Sequence, residues 1–180
     1  MSDSVLRLRN IVHDRDILRM KCTSVDKIDD KLLENLDVML GIMYETGGIG
    51  LAANQIGLIQ RIVVIDLQEN GKKNPIFLIN PEILEKSKET KLGPEGCLSI
   101  PVNEKSEVRR STKVKVRYLD KIGNEVISEA TGLFAVCLQH EIDHLDGILY
   151  IDHLSELRRK FVVEKTEANL RLLEKTRKNR

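Results

Sequence analysis

Between Asp29 and Glu45 the apolar residues Leu32, Leu33, Leu36, Met39, Leu40 and Met43 recur at steps of three and four. That spacing gathers them on one side of a helix, with Asp29 or Asp30 available as a cap and the Gly47-Gly48 pair as a stop. The rhythm then changes. Residues 61–67 are rich in β-branched side chains and predict a buried strand, Asn70-Gly71 marks a turn, and 75–80 predict a second short strand. Segments 82–88, 113–119 and 125–130 are also strand-like. Val114, Val116 and Tyr118 alternate with charged residues, which predicts a sheet with one wet face and antiparallel pairing, and Gly123-Asn124 fits a hairpin. Helical spacing returns from about Leu133 to Leu145, where Leu133, Val136, Cys137 and Leu145 predict a buried helix stopped by Gly147. From Ser155 onward, Leu157, Phe161, Leu170 and Leu173 predict a last amphipathic helix within 155–180, in which Lys and Arg outnumber Glu by nine to four. No repeat, linker or low-complexity tract interrupts the pattern. The fold class it predicts is α+β in one domain, 1–180: antiparallel β-sheets around a central helix, with an N-terminal and a C-terminal helix.

Composition narrows the field. Of 180 residues, 41% are apolar and 32% charged, an ordinary globular balance. A net charge of +1 carries no general nucleic-acid footprint, so DNA is not an expected partner. No apolar run approaches the ~20 residues of a membrane span, and Met1-Ser2-Asp3-Ser4 lacks the basic start of a signal segment. A cytoplasmic location and no membrane association are the expectations. Three cysteines show no disulfide framework: Cys22 and Cys137 fit small buried apolar positions, whereas Cys97 sits in a glycine-flanked loop.

The candidate chemistry lies in His140-Glu141-Ile142-Asp143-His144. Two imidazoles four residues apart share one helix face and can reach one ion. Glu141, about 100° further round, can address a water without ligating, which is the H-E-x-x-H logic of metal-assisted hydrolysis. A catalytic site needs a third ligand. Asp146, His153 and Glu156 stand at the wrong offsets for a zincin, a metallopeptidase alternative. Cys97, in Gly93-Pro94-Glu95-Gly96-Cys97-Leu98-Ser99, offers a thiolate for a Cys-His-His set. In Gly47-Gly48-Ile49-Gly50-Leu51-Ala52-Ala53-Asn54-Gln55, small residues allow close backbone approach and the Gln55 amide suits a developing oxyanion. Gly48-x-Gly50-x-x-Ala53, with Asp66 beyond it, also matches a dinucleotide fingerprint, but a helix precedes it where a strand is required. A non-catalytic module with a structural metal and a basic, ribosome-binding helix is the alternative from another class; a carboxylate at Glu141 has little use there. His13 and His153 have no ligand spacing and read as surface or satisfied histidines.

Gly48 to Gln55, Glu95-Gly96-Cys97-Leu98-Ser99 and Gln139 to Leu145 resemble, in order, the three signature motifs of peptide deformylase. The resemblance implies removal of the formyl group from the N-formylmethionine of nascent chains. It implies a Fe²⁺ ion on Cys97, His140 and His144, replaceable by Zn²⁺, Ni²⁺ or Co²⁺. Glu141 would be the general base, with the Gln55 side chain and the Leu98 backbone N–H stabilising the oxyanion. Gly48, Ile49, Gly50, Glu95 and Gly96 would contact substrate, and Ile49, Leu133, Val136 and Cys137 would line a methionine pocket. The family pattern gives Arg109 a partner among acidic groups near the metal loop; a surface charge is the other reading of that residue. Glu104 falls where the family often carries an Arg, which implies weaker attraction for acidic substrate tails. A monomer is expected, with Arg158, Arg159, Lys160, Lys165 and Arg171 of the last helix docking near the ribosomal exit. Truncation after Ser155 would then spare turnover of small peptides.

Overall fold

Asp29 accepts a hydrogen bond from the Leu32 backbone N–H and so caps the long N-terminal helix, Asp30–Glu45. A four-residue helix that the pattern did not announce, Arg15–Leu18, precedes it. These are α2 and α1. The computed structural model describes residues 6–102 and 105–178, so Asn103 and Glu104 lie outside the described residues. Beyond α2 come strands β1 (Gly50–Ala52), β2 (Ile62–Ile65), β3 (Ile76–Lys86), β4 (Thr90–Glu95), β5 (Ser106–Ser111), β6 (Lys113–Leu119) and β7 (Glu125–Thr131). Helices α3 (Gly132–Leu145) and α4 (Glu156–Lys178) follow. One sheet runs β1-β2-β3-β6-β7 with every pair antiparallel, and β4-β5 form a separate two-stranded ribbon. The α+β architecture expected from the pattern is the one found.

β2 is buried along its whole length because both of its faces carry a core. Val63 and Ile65 pack into the cluster that holds Ala135, Leu138 and Leu145 of α3. Ile62 and Val64 join Leu36, Met39 and Met43 of α2 on the other side. Helix α3 therefore lies on one face of the sheet and α2 on the other.

Three departures from the sequence pattern have identifiable causes. The strands expected at 75–80 and 82–88 are one strand, β3. Asn80 takes φ +53° and Pro81 has no N–H to donate, so the pairing register shifts between Ile79 and Glu82 without ending the strand. The Asn80 side chain secures this kink by bonding both the N–H and the carbonyl of Val25, each at 2.8 Å. Ribbon β4-β5 gave no strand signal because the inward positions of β5 are Ser106, Val108 and Arg110, of which only one is apolar. In α4 the buried line is Val162 and Thr166, whereas Leu157 (81% exposed), Phe161 and Leu173 face outward. Leu133 is likewise exposed, at the first turn of α3, and not part of a buried face as expected. Among the described residues no helix is long and apolar enough to cross a membrane.

Candidate active site

Helix α3 presents His140 and His144 one turn apart, their ring centroids 5.0 Å from each other. The loop after β4 brings Cys97 to them, with Sγ 3.2 Å from His144 Nε2. Ligand atoms of these three residues all lie within 4.8 Å of one another, and they form the one such group found among the described residues. The donor set fits a divalent transition metal: one thiol and two buried imidazoles. Burial holds the His144 imidazole well below its usual range, and its Nδ1 is buried without a partner. His140 Nδ1 lies 2.8 Å from Glu95 Oε2, which leaves Nε2 as its free ring nitrogen. Of the other nominal ligands, Asp146 pairs with Arg61 and His153 sits 2.8 Å from Asp143 Oδ2, the satisfied state expected of it.

Around the ligands stands a buried ion network that the sequence reading placed one residue off. The guanidinium that grips Glu95 is that of Arg110, through Nε at 2.8 Å and a second nitrogen at 3.1 Å, and it also reaches Asp143 at 2.5 Å. Arg109 is not that partner: it points outward, in line with the surface-charge reading, and donates to Thr90 Oγ1 at 3.3 Å. In a strand a shift of one residue exchanges the inner face for the outer. Burial alone would raise the Glu95 carboxyl, but hydrogen bonds from His140 and Arg110 bring it down to about 2. Tyr150 closes the back of the site, its ring stacked on His140 at 6.1 Å.

Glu141 is buried beside Cys97, His140 and His144 and has an unpartnered Oε2. Burial pushes its carboxyl up to about 7. Its neighbour across the site is Gly50 of β1, where even a methyl group would collide with the carboxylate. Gln55, in a short 3₁₀ turn over Ala53–Ile56, accepts from the Ala52 N–H at 2.8 Å, so its NH₂ group faces Ser99 Oγ at 3.2 Å and Cys97 Sγ at 3.5 Å. In the same turn Asn54 donates to the His144 carbonyl at 2.5 Å and ties the end of α3 in place. Asn54 and Arg110 escaped the sequence reading. Only the Asn beside Gln55 carried a signal, in the motif itself.

A cavity of about 640 Å³ opens at this cluster. Gly48, Ile49, Gly50, Glu95, Gly96, Leu133, Val136 and Cys137 all line it, together with Gln55, Cys97, Leu98, His140 and Glu141. A larger cavity of about 760 Å³ lies elsewhere, walled by ion-paired Arg61, Asp146, Arg117 and Glu82, and contains none of these residues. The family model for polypeptide deformylase matches residues 8–160. The chain belongs to the polypeptide deformylase family. A peptide deformylase of Phenylobacterium zucineum is 48% identical over 151 residues, covering 83% of this chain and 89% of that one. The crystal structure of a peptide deformylase from Legionella pneumophila superimposes with a TM-score of 0.87 at 37% identity, covering 94% and 98% of the two chains. One from Synechococcus elongatus, in complex with actinonin, does so with a TM-score of 0.82 at 36% identity, covering 94% and 90%. This deformylase is a metal-dependent hydrolase that removes the formyl group from N-formylmethionyl peptides.

Proposed function

We propose that Cys97, His140 and His144 hold the divalent ion of this deformylase and that Glu141 is its general base. The convergence of one sulfur and two imidazoles within 4.8 Å, with a buried carboxylate beside them whose Oε2 has no partner, carries this reading. When bound, the ion would supply a Lewis acid for the formyl carbonyl and lower the pKa of water next to it. Glu141 takes the proton of the water that attacks the formyl carbon. It then delivers that proton to the amine nitrogen as the C–N bond breaks, leaving formate and a methionyl amine. Gln55 Nε2 and the Leu98 backbone N–H donate to the carbonyl oxygen as it gains charge, and loss of one such donor costs on the order of a hundredfold in rate.

β1 is the outermost strand of its sheet, so Gly48, Ile49 and Gly50 can align the substrate backbone as an added strand, with Glu95 and Gly96 opposite. Ile49, Val136 and Cys137, with Leu133 at the rim, form the methionine pocket. The cavity would also take actinonin. Substituting Glu141→Gln tests the centre of this scheme: elemental analysis should find the ion retained while turnover of a formyl-methionyl peptide collapses. Turnover equal to wild type would exclude the proton shuttle.

The resident ion is Fe²⁺ in this reading, following the family and not ligand softness, which would favour Zn²⁺. Activity should then decay in air and persist after exchange for Ni²⁺ or Co²⁺; full activity of zinc-loaded protein in air would count against iron. The protein acts as one domain over 1–180 and as a cytoplasmic monomer, checked by light scattering. Arg158, Arg159, Lys160, Lys165 and Arg171 of α4 dock near the ribosomal exit, where phosphates attract them. Neutralising them together should weaken co-sedimentation with ribosomes at low salt and flatten its dependence on salt, and unchanged co-sedimentation would refute docking.

A further inference from the structure

Helix α4 packs behind one wall of the cavity and is not merely appended to the domain. Val162 is buried in the apolar cluster of Ile100, Val108 and Tyr150, and Thr166, one turn on, is fully buried. Beyond them Asn169 Nδ2 donates to the Pro101 carbonyl at 3.2 Å. Pro101 and Val102 line the 640 Å³ cavity a few residues past Cys97. Between Cys97 and Val102 the loop is tightly wound, with Ile100 N–H on the Cys97 carbonyl at 2.9 Å and Val102 N–H on that of Ile100 at 2.8 Å. The bond at Pro101 reaches the far end of this loop from behind.

We infer that Asn169 is a positioning residue for substrate: from the C-terminal helix it holds the loop whose front forms one wall of the binding cavity. This rests on the cavity being the substrate site. The Cys97 side of the loop is held separately, with Ile11 N–H on the Ser99 carbonyl at 3.0 Å and Gln55 Nε2 on Ser99 Oγ at 3.2 Å, and Gln55 and Glu141 stand on the 3₁₀ turn and α3, so slack at 101–102 leaves the reacting groups where they are. What changes is the ordering cost of forming the wall, which falls on binding. Loss of uniform binding raises KM and leaves kcat alone. The expectation that truncation after Ser155 spares small-peptide turnover does not follow from this packing, because truncation also strips Val162 and Thr166 from the core.

Asn169→Asp isolates the contact, being close in size and without the amide donor; Asn169→Ala is the second variant. Kinetics on a formyl-methionyl tripeptide should show KM raised about two- to tenfold, the range of one lost hydrogen bond, with kcat within about twofold. Hydrogen exchange should quicken at the Ile100 and Val102 amides, and Lys175→Ala on the exposed side of α4 should change neither quantity. Unchanged KM in both Asn169 variants overturns the inference, whether or not exchange quickens, as does a fall in kcat without a rise in KM. If the wild type turns over no formyl-methionyl peptide, the reading of the cavity fails first and takes this inference with it.

Discussion

The carboxylate of Glu141 lies against the α-carbon of Gly50, so closely that an added Cβ would stand 2.5 Å from Oε1 and 2.8 Å from the Cys137 sulfur. Gly50 is glycine here because of what faces it, not because of its own dihedral angles. In Gly50→Ala the Glu141 carboxylate, the base proposed above, must shift, and displacement of a catalytic group by about 1 Å can cost on the order of a hundredfold. We expect kcat to fall by that order while the metal content measured by elemental analysis is unchanged; a fully active Gly50→Ala protein would remove Glu141 from its assigned position.

Arg110 is the sole cation bonded to Glu95 among the described residues apart from the His140 ring. Arg110→Met leaves that carboxylate buried and unbalanced, a loss of about 3–5 kcal/mol. Urea unfolding should show the midpoint fall with an unchanged slope. Adding Glu95→Gln should recover much of the loss, because the stranded charge and not the missing contact is the larger cost.

Two glycines separate backbone strain from steric collision. Gly147 (φ +73°) and Gly71 (φ +71°) share a left-handed conformation, but only at Gly147 would a Cβ strike another backbone, at the Arg19 carbonyl. Gly71→Ala should cost about 1–2 kcal/mol. Gly147→Ala should cost a further ~1–3 kcal/mol of overpacking, read as the difference between the two urea midpoints.

Acid stability depends partly on Asp66. Burial opposes its charge, yet hydrogen bonds from Tyr44 at 2.5 Å and from the Gln68 and Asn74 N–H groups hold the carboxyl below its usual range. A lowered folded pKa contributes stability that is complete above the unfolded value near ~4 and is lost as pH falls through the folded one. Tyr44 shows the converse: burial and the same bond raise it to about 12, so its contribution is complete below ~10 and lost as pH rises through 12. Tyr44→Phe should therefore flatten the dependence of unfolding free energy on pH as pH falls below ~4; an unaltered slope would dissociate Asp66 from acid denaturation.

How much of this was readable from the chain depended on how local each signal is. His140, Glu141 and His144 were legible because their relation is set by helical pitch within one turn. Cys97 and Gln55 were legible from glycine-rich loops of recognisable sequence. Arg110 was missed for Arg109 because the choice turns on which face of β5 is inward, and that strand announces itself with one valine between a serine and an arginine. The outer face of α4 was misjudged for a related reason: Leu157 and Phe161 satisfy the helical period, but the surface that α4 covers selects Val162, Thr166 and Asn169 instead. Periodicity reports that a helix has an apolar side; the neighbour decides which side is used.

β2 has only four residues, yet successive side chains serve different layers, Ile62 and Val64 toward α2 and Val63 and Ile65 toward α3. Neither layer can melt without depriving this strand of half its neighbours, so their losses are thermodynamically yoked. Calorimetry should record one endotherm whose measured enthalpy equals its van't Hoff value, and the helix bearing the two histidines should give way at the same temperature as the one on the far side of the sheet.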